Sequence, residues 1–480
     1  MGARQRGVQI ICTIGPASFE PRVLEGLIDA GMSVARINFA HGEPDQHREA
    51  VARIRAASAA RGRPVGILQD LPGPKIRLGE LAEGWVELRS GDAVTLDCGT
   101  AKGDASRLPV PDTYLPAEVR PQSLILLGDG AVELEVVEVV GMQIRCRVTV
   151  GGPVASGKGV NAAGGVSDRP LIDERDRAAL ELGAELEIDF VGVSFVRTGE
   201  DLRAVRRVLR SLGRPAPLVA KIETAVALDH LDDILSRTDA VMIARGDLSL
   251  EVPYERVPME QKRIVRAALR AGRPVITATQ MLQSMVTAPR PTRAEATDVA
   301  NAVLDGTDAV MLSDETAIGV DPIRCCRTMA RLIEGTEGAS VRDGAPEEVQ
   351  STPDLHELMV FARAAARTAR DVNARGIMVW TRGGVAARLL SQQRPNVPIV
   401  APTRFEDSYR KLTLPYGIRP VLVPRGRLSR SQLEVQLGPL ADTDLLVVVR
   451  HLPGDRRRIP FVGLVRVSDE DEWSIDLGGR

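Results

Sequence analysis

Short apolar runs alternate with amphipathic helical segments along residues 8–340 of the 480-residue sequence, and this alternation constrains the fold more than any other feature. Eight runs have the length of β-strands, at residues 8–14, 33–39, 64–68, 190–196, 218–222, 240–244, 274–278 and 309–312. Several helical segments between them are followed by glycine, the residue that most often ends a helix. Eight strand–helix units with nearly continuous apolar strands predict an α/β protein built on a closed parallel (β/α)8 barrel, the TIM-barrel architecture.

The alternation is interrupted once, by residues 71–167 between the third and fourth runs. Within this insertion apolar residues recur at every second position, as at Val94 and Leu96, which is typical of antiparallel strands with one buried face. Turn-forming residues punctuate both junctions, Pro72-Gly73-Pro74 on one side and Ser167-Asp168-Arg169-Pro170 on the other, as a hinged lid requires. We therefore predict that the insertion is a small β-barrel domain that acts as a lid.

A second alternation of strands and helices follows a polar stretch at residues 335–352. Its apolar runs predict strands of an open, doubly wound sheet at residues 376–380, 397–401, 420–423 and 444–449. The predicted domains are a barrel in two parts (1–70 and 168–340), the lid (71–167) and a C-terminal α/β domain of regulatory type (341–480).

Composition excludes several classes of partner. A net charge of −2 provides no overall field to attract nucleic acid or an anionic membrane, and no apolar run approaches the roughly 20 residues of a membrane helix. The first nine residues contain no apolar signal core, and the five cysteines are scattered without metal-type spacing, which fits a reducing compartment. We expect a cytoplasmic protein that binds neither nucleic acid nor membrane.

Polar residues follow most of the predicted barrel strands, at the end where TIM-barrel enzymes place their catalytic groups. Strand alternation places Lys221 and Glu223 on the same side of the fifth strand, and Asp247 follows the sixth strand at a matching height. Two carboxylates with room for water and substrate oxygens are what a Mg²⁺ site ordinarily offers. Taken alone, Lys221 would equally fit a strand-end lysine that is simply paired with Glu223.

Three further positions suit an anionic ligand. Gly246 lies at a strand-to-helix turn, where bare backbone N–H groups can face an anion, although a simple tight turn would look the same. Arg36 and Arg77 carry forked donors that match phosphate, and Arg77 follows the proline-rich hinge, which sets it apart from an ordinary surface arginine.

Seven segments of the chain together resemble the pyruvate kinase family in their order and spacing. They are Thr13-Ile14-Gly15-Pro16-Ala17-Ser18, Arg36-Ile37-Asn38-Phe39-Ala40-His41-Gly42, Gly73-Pro74-Lys75-Ile76-Arg77, Lys221-Ile222-Glu223, Ala244-Arg245-Gly246-Asp247-Leu248, Ala278-Thr279-Gln280-Met281-Leu282 and Pro291-Thr292-Arg293-Ala294-Glu295. The resemblance covers the barrel and lid well and the last domain more loosely. It implies a phosphotransferase of glycolysis that transfers the phosphoryl group of phosphoenolpyruvate to ADP, giving pyruvate and ATP, and that acts as a homotetramer.

The same resemblance implies a role for each matching residue. The catalytic residues would be Lys221, Thr279 and Arg36, and the ligands of Mg²⁺ or Mn²⁺ would be Glu223 and Asp247. The substrate would be bound by Arg36, Lys221, Gly246, Asp247 and Thr279. The nucleotide would be bound by Arg36, Asn38, His41, Arg77 and Lys158.

The region that holds a monovalent cation in many relatives comprises Asn38, Asp70 and Lys75 here, and it departs from the common pattern. Ala40 and Leu71 replace two oxygen ligands, and Lys75 stands where K⁺-dependent members carry glutamate. We expect the Lys75 ammonium to supply the positive charge internally, near Asp70, so that K⁺ is not required.

Two other functions would fit parts of the pattern. A lysine on a barrel strand could form a Schiff base, as in some aldolases, but the neighbouring Glu223 stabilises the ammonium form of Lys221 and argues against it. A catalytically weak regulator that binds phosphorylated metabolites on the same fold is the other alternative, and the intact strand-end residues disfavour it.

Overall fold

The computed structural model describes residues 6–162, 169–339, 356–451, 460–467 and 472–474. The junction predicted at residues 167–168 and the boundary predicted at 340–341 lie outside these ranges, as does most of the polar stretch 335–352. Within the described residues no helix is both long and apolar enough to cross a membrane.

The strands fall into four groups along the chain. The barrel strands that precede the insertion are β1 (Gln9–Thr13), β2 (Met32–Asn38) and β3 (Gly66–Asp70). The lid strands are β4 (Glu80–Leu81), β5 (Trp85–Leu88), β6 (Ala93–Asp97), β7 (Lys102–Gly103), β8 (Arg107–Pro109), β9 (Leu124–Leu127), β10 (Val132–Val140), β11 (Gln143–Val150), β12 (Gly152–Ala155) and β13 (Val160–Ala162). The remaining barrel strands are β14 (Phe190–Val193), β15 (Leu218–Ile222), β16 (Ala240–Ala244), β17 (Val275–Ala278) and β18 (Ala309–Leu312). The C-terminal strands are β19 (Gly376–Val379), β20 (Ile399–Thr403), β21 (Ile418–Leu422), β22 (Arg427–Ser429), β23 (Leu445–His451), β24 (Pro460–Arg466) and β25 (Glu472–Ser474).

The α-helices alternate with the strands outside the lid. They are α1 (Pro21–Ala30), α2 (Pro44–Arg61), α3 (Leu115–Glu118), α4 (Glu174–Glu185), α5 (Gly199–Ser211), α6 (Ala225–Asp229), α7 (Leu231–Arg237), α8 (Arg245–Glu251), α9 (Val257–Arg270), α10 (Arg293–Asp305), α11 (Asp314–Ala317), α12 (Pro322–Ala339), α13 (His356–Asp371), α14 (Val385–Gln392), α15 (Glu406–Lys411) and α16 (Arg430–Leu437). Gly31 and Gly62 end α1 and α2 with φ of 114° and 60°, a backbone conformation that L side chains rarely adopt.

Eight parallel strands close into a barrel in the order β1-β18-β17-β16-β15-β14-β3-β2, which confirms the predicted (β/α)8 architecture. The apolar side chains that point into the barrel are fully buried, so the interior is a packed core rather than a pore. The C-terminal domain covers the floor: Leu414 packs into the interior cluster, and Arg410 pairs with the buried Asp189 at 2.8 Å. The end of the barrel that remains open to a ligand is therefore the opposite one, where the strands finish.

The lid is inserted between β3 and α4. It contains a six-stranded sheet of order β13-β9-β10-β11-β6-β8 and two two-stranded sheets, and most of its strand pairs are antiparallel. Its own apolar core includes the predicted inward positions Val94 and Leu96, which are 3% and 0% exposed. A lid with an independent core can move as a unit on the barrel.

The C-terminal domain is a five-stranded sheet of order β21-β20-β19-β23-β24, parallel except for β24. Residues 376–380, 397–401, 420–423 and 444–449 were predicted as strands, and β19, β20, β21 and β23 overlap them. The sheet order reverses beside β19, as in doubly wound folds.

Candidate active site

A cavity of about 370 Å³ opens at the end of the barrel where the strands finish, beneath the lid. Lys221, Glu223 and Asp247 line it together, so the three side chains singled out in the sequence converge on one space. A second cavity of about 470 Å³ lies beside it between lid and barrel and shares Lys75 and Asp247. The charged groups converge in the smaller cavity, which is large enough for a small phosphorylated acid.

Lys221 is the centre of this charge cluster. Its ammonium lies 3.1 Å from Asp70 Oδ1 and 2.9 Å from Glu223 Oε1, and it donates a hydrogen bond to Ser194 Oγ at 2.7 Å. Burial alone would lower the pKa of Lys221, but the charges of Asp70 and Glu223 outweigh it and raise the pKa above its ordinary value. A Schiff-base nucleophile needs the opposite shift, so the geometry gives the aldolase alternative no support.

Arg36 and Asp70 form a second buried ion pair beside Lys221. Arg36 Nε and Nη2 lie 2.7 and 2.6 Å from Asp70 Oδ2, and Arg36 Nη1 donates to Thr13 Oγ1 at 3.0 Å. Burial would raise the pKa of Asp70, but the charges of Lys221 and Arg36 hold it below its ordinary value. Asp70 therefore stays ionised and fixes both cations.

Glu223 is held by an unusual backbone turn. Phe195, two residues beyond the end of β14, has φ of 54°, and its N–H donates to Glu223 Oε2 at 2.7 Å. A bulky residue in this conformation is a genuine outlier, of the kind that clusters at functional sites. Strand β14 was predicted to extend to residue 196 and ends at Val193, because the chain turns here to present this N–H.

Glu223 and Asp247 fit a divalent cation. Burial raises the pKa of Glu223, and the charge of Asp247 adds to this while Lys221 opposes it. Glu223 Oε1 is buried and, within the described part of the chain, has no aligned hydrogen-bond donor, although Lys221 Nζ is near. No group of three or more His, Cys, Asp or Glu in the described residues is arranged to hold an ion. Two carboxylates are the number that Mg²⁺ commonly takes from a protein when substrate and water complete its shell.

Lys75 lies elsewhere than expected. Its ammonium was predicted near Asp70, but it pairs with Asp247 Oδ1 at 2.9 Å. Asp70 is 1% exposed and already carries two cations, whereas Asp247 is 26% exposed on the side that faces the hinge. The positive charge of Lys75 therefore lies at Asp247, one of the two carboxylates of the candidate metal site, and not at Asp70.

Gly246 and Thr279 form a pair across neighbouring strand ends. The Gly246 N–H, expected to face an anionic ligand, donates to Thr279 Oγ1 at 2.9 Å, and the hydroxyl donates in turn to Ala278 O at 2.6 Å. This N–H is therefore occupied in the structure. A methyl group at Gly246 would meet Thr279 only at ordinary van der Waals distance, so there is space beside the turn for a ligand group.

The residues expected at the nucleotide lie nearer the solvent. Asn38, His41 and Arg77 line the cavity, with Asn38 Oδ1 accepting from the Ala40 N–H at 3.1 Å. Arg77 donates to Gly157 O at 3.1 Å, next to Lys158 on the lid. Lys158 is exposed and does not line this cavity, so the structure does not bring it together with the other residues expected at the nucleotide.

Three groups that contribute to the cavity or to its charge cluster were not identified from the sequence. Ser194 accepts the hydrogen bond of Lys221, and its only signal in the sequence is that a polar residue stands within the predicted apolar run at residues 190–196. Arg175 also lines the cavity and donates to Ala40 O at 2.9 Å, but its place in the first turn of α4 carries no distinctive pattern. The N–H of Phe195 depends on backbone conformation, which the residue type does not reveal.

The lid hinge is tied to the barrel by a buried carboxylate, Asp176, which is 1% exposed. Its Oδ1 accepts from the Gly73 N–H at 3.2 Å, and it exchanges hydrogen bonds with Asp173 at the start of α4. Burial raises the pKa of Asp176 to about 6, and the charge of Asp173 adds to the shift. The ionised form of Asp176 is therefore destabilising at neutral pH.

We expect Asp176→Asn to stabilise the protein at pH 8. A carboxyl whose pKa is higher in the folded than in the unfolded state binds its proton more tightly when folded, so stability is lost as pH rises from about 4 to about 6. The variant should gain about 3 kcal/mol at pH 8 and about half of that at pH 5. Melting temperatures at the two pH values measure this, with the exposed Asp45→Asn as control. If the gain in stability of the Asp176→Asn variant is the same at pH 5 and pH 8, the pKa of Asp176 is not raised.

Comparison with known proteins finds matches along most of the chain. A family model described as "Pyruvate kinase, barrel domain" matches residues 5–326, and one described as "Pyruvate kinase, alpha/beta domain" matches residues 360–454. The pyruvate kinase of Agrobacterium vitis is 41% identical over 93% of this chain and 95% of its own length. That of Mycobacterium tuberculosis is 38% identical over 93% of each chain.

The fold agrees with these matches. The crystal structure of a pyruvate kinase from Cryptosporidium parvum superimposes with a TM-score of 0.89 at 34% sequence identity. The match covers 96% of this chain and 96% of the other, so barrel, lid and C-terminal domain are all included.

Proposed function

The chain belongs to the pyruvate kinase family, a family of transferases, and on that premise we propose that it transfers the phosphoryl group of phosphoenolpyruvate to ADP, giving pyruvate and ATP in the last step of glycolysis. One observation carries the proposal: the Lys221 ammonium is held between Asp70 and Glu223 in a cavity that also contains Asp247. A fixed cation beside two carboxylates suits a phosphoryl group and the metal that accompanies it.

Glu223 and Asp247 would hold the divalent cation, Mg²⁺ or Mn²⁺, that the family uses. When bound, such an ion neutralises the oxygens of phosphate and carboxylate and orients them. Lys75 must then share Asp247 with the ion, so the ammonium and the metal act on one carboxylate.

Lys221 would face the phosphoryl group as it leaves the enolate oxygen. The bond between phosphorus and the enolate oxygen breaks, and a bond to the terminal phosphate oxygen of ADP forms, so negative charge appears on the enolate. An ammonium already held in place by buried carboxylates stabilises that charge without reorganising. Arg36, fixed by Asp70, would hold phosphate oxygens through its remaining donor capacity.

The enolate carbon then takes up a proton to give pyruvate. Thr279 lies on the strand end next to Asp247 and is proposed to belong to the network that delivers this proton. The substrate carboxylate would approach Gly246, where the turn leaves space.

The nucleotide would approach from the lid side. Asn38, His41 and Arg77 line that side of the cavity, and Lys158 on the lid would reach ADP when the lid moves on its hinge. Arg36 would contact both substrates at their shared phosphoryl group. In keeping with the family resemblance, we propose a homotetramer in the cytoplasm, for which sedimentation velocity is the direct test.

A coupled assay tests the function. Phosphoenolpyruvate, ADP and Mg²⁺ are supplied, and pyruvate is followed by NADH oxidation with lactate dehydrogenase. Turnover that depends on all three components supports the proposal, and their binding without turnover would favour the regulator instead. Borohydride added with pyruvate should leave Lys221 unmodified.

We further expect turnover without K⁺. The Lys75 charge, delivered through Asp247, takes the place of an external monovalent cation, so the rate in Tris buffer should change by less than about twofold when KCl is added. The Lys75→Met variant should lose activity and regain part of it when KCl is added. Lys102 is a lid lysine that pairs with Glu80 at 3.0 Å, and the control variant Lys102→Met should keep its activity with or without KCl. If the parent protein loses most of its rate when K⁺ is absent, the Lys75 ammonium does not take the place of K⁺.

A further inference from the structure

Two consecutive residues at the end of β17 adopt a backbone conformation that their side chains disfavour. Thr279 and Gln280 have φ of 66° and 53°. For a β-branched residue such as Thr279 this is a genuine outlier, which persists only where its surroundings impose it. Something in the structure must hold the segment.

The guanidinium of Arg245 provides the contacts that hold it. Arg245 Nε donates to Ala278 O at 3.1 Å and Nη2 donates to Thr279 O at 2.6 Å, so one fork spans two successive carbonyls. The third nitrogen, Nη1, lies 2.7 Å from Asp298 on α10 and 3.2 Å from Gln261 Oε1 on α9. The side chain is 11% exposed.

This clamp has a chemical consequence at Thr279. Because the carbonyls on both sides of its Cα are fixed, the hydroxyl is held where it donates to Ala278 O and accepts from the Gly246 N–H. Two of its three hydrogen-bonding positions are thereby used, and one lone pair remains. Arg245 also begins α8, which carries Gly246 and Asp247, so the same residue couples the two strand ends.

We propose that Arg245 is a positioning residue for proton transfer: its fork on the Ala278 and Thr279 carbonyls holds Thr279 in the left-handed conformation that fixes the direction of its hydroxyl. The inference rests on the proposed function, in which Thr279 belongs to the network that protonates the enolate. Lysine could keep the charge next to Asp298, but a single ammonium cannot reproduce the planar fork. Arg245→Lys therefore separates geometry from charge.

The test compares two rates in each protein. The first is ATP formation from phosphoenolpyruvate and ADP with Mg²⁺. The second is exchange of the methyl protons of pyruvate for deuterium in D₂O with Mg²⁺ and ATP, followed by proton NMR, in which a methyl proton leaves the carbon and a solvent deuteron replaces it. Exchange reports the proton step, whereas ATP formation requires phosphoryl transfer.

We expect Arg245→Lys to slow exchange about 10- to 100-fold, within the range that a misplaced proton-transfer group loses. ATP formation should fall less, and the KM for phosphoenolpyruvate should stay within about threefold, since the charged groups that bind substrate are untouched. Asp298→Asn keeps the Arg245 guanidinium but removes the negative charge that holds its Nη1 atom. This variant should lower the exchange rate relative to ATP formation by a smaller factor. It provides a second test if the Arg245→Lys variant folds poorly.

Arg206→Lys is the matched control. Arg206 also bridges a carbonyl and a carboxylate, Arg237 O at 3.0 Å and Asp239 at 2.7 Å, but at the floor end of the barrel. Its two rates should change together or not at all. If exchange and ATP formation fall equally in Arg245→Lys, or neither falls beyond the control, the inference is wrong. If the parent protein itself makes no ATP, the proposed function has failed instead.

Discussion

Replacing Lys221 by methionine is expected to lower kcat/KM for phosphoenolpyruvate by about a thousandfold or more, the range measured when a fixed charge is removed from a phosphoryl-transfer site. The loss should fall mainly on kcat, because the ammonium faces charge that appears only as the enolate leaves. Methionine keeps the length and apolar stem of the side chain, so the change removes the charge with little change in volume.

The same replacement should also destabilise the barrel. Asp70 and Glu223 are each 1% exposed, and the change leaves both without the Lys221 ammonium. Breaking a buried pair typically costs about 3–5 kcal/mol, although Arg36 still neutralises Asp70. A fall in melting temperature is therefore expected together with the loss of turnover.

Lys262→Met separates the two effects. Lys262 also pairs with a largely buried carboxylate, Asp305, but on the outer helices of the barrel. The control should lose stability and keep its turnover. If Lys221→Met retains more than about a tenth of the parental kcat, well short of the loss expected for such a charge, the electrostatic role of Lys221 is wrong.

Replacing Glu223 by glutamine is expected to weaken Mn²⁺ binding by about 10- to 100-fold, since even an outer-shell partner of a metal ligand has an effect of that size. Glutamine keeps the acceptor for the Phe195 N–H but removes the negative charge. Direct Mn²⁺ titration by electron paramagnetic resonance measures the binding without reference to activity. Turnover at saturating phosphoenolpyruvate should recover partly as Mn²⁺ is raised.

Glu315→Gln is the control for burying a neutral amide at a strand end. Glu315 is 0% exposed and accepts from the backbone N–H groups of Leu282 at 3.0 Å and Ser313 at 2.7 Å. It follows β18 and does not line the cavity that Lys221 shares with Glu223. Mn²⁺ affinity should be unchanged in this variant. Equal weakening in both variants would show that Glu223 acts through the fold rather than as a ligand.

The barrel was predictable because its strands are apolar on both faces and its helices are not. All eight barrel strands overlap the predicted apolar runs, and β15, β16 and β18 agree at both ends. The polar residues that follow them could be assigned to one end of the barrel, since parallel strands finish together. Alternation along β15 then paired Lys221 with Glu223, as the structure shows.

The contacts made by Lys75 and Gly246 could not be predicted in the same way. Lys75 was expected at Asp70 and lies at Asp247, because the choice between two carboxylates depends on which is already neutralised by neighbours from other strands. The Gly246 N–H was expected to be open to substrate and is bonded to Thr279. Both outcomes depend on distances between segments that are far apart in the chain.

The sequence by itself determined the order of the domains, the barrel and the set of charged residues at one end of it, because these follow from local periodicity and strand direction. Only the tertiary structure decided which charges neutralise one another, and which residues are forced into the left-handed conformation at Phe195 and Thr279. The physical reason is that ion pairing and backbone strain are settled by neighbours brought together through folding. Arg245, which reads as one more strand-end arginine, acquires its proposed role only from the carbonyls that the next strand presents to it.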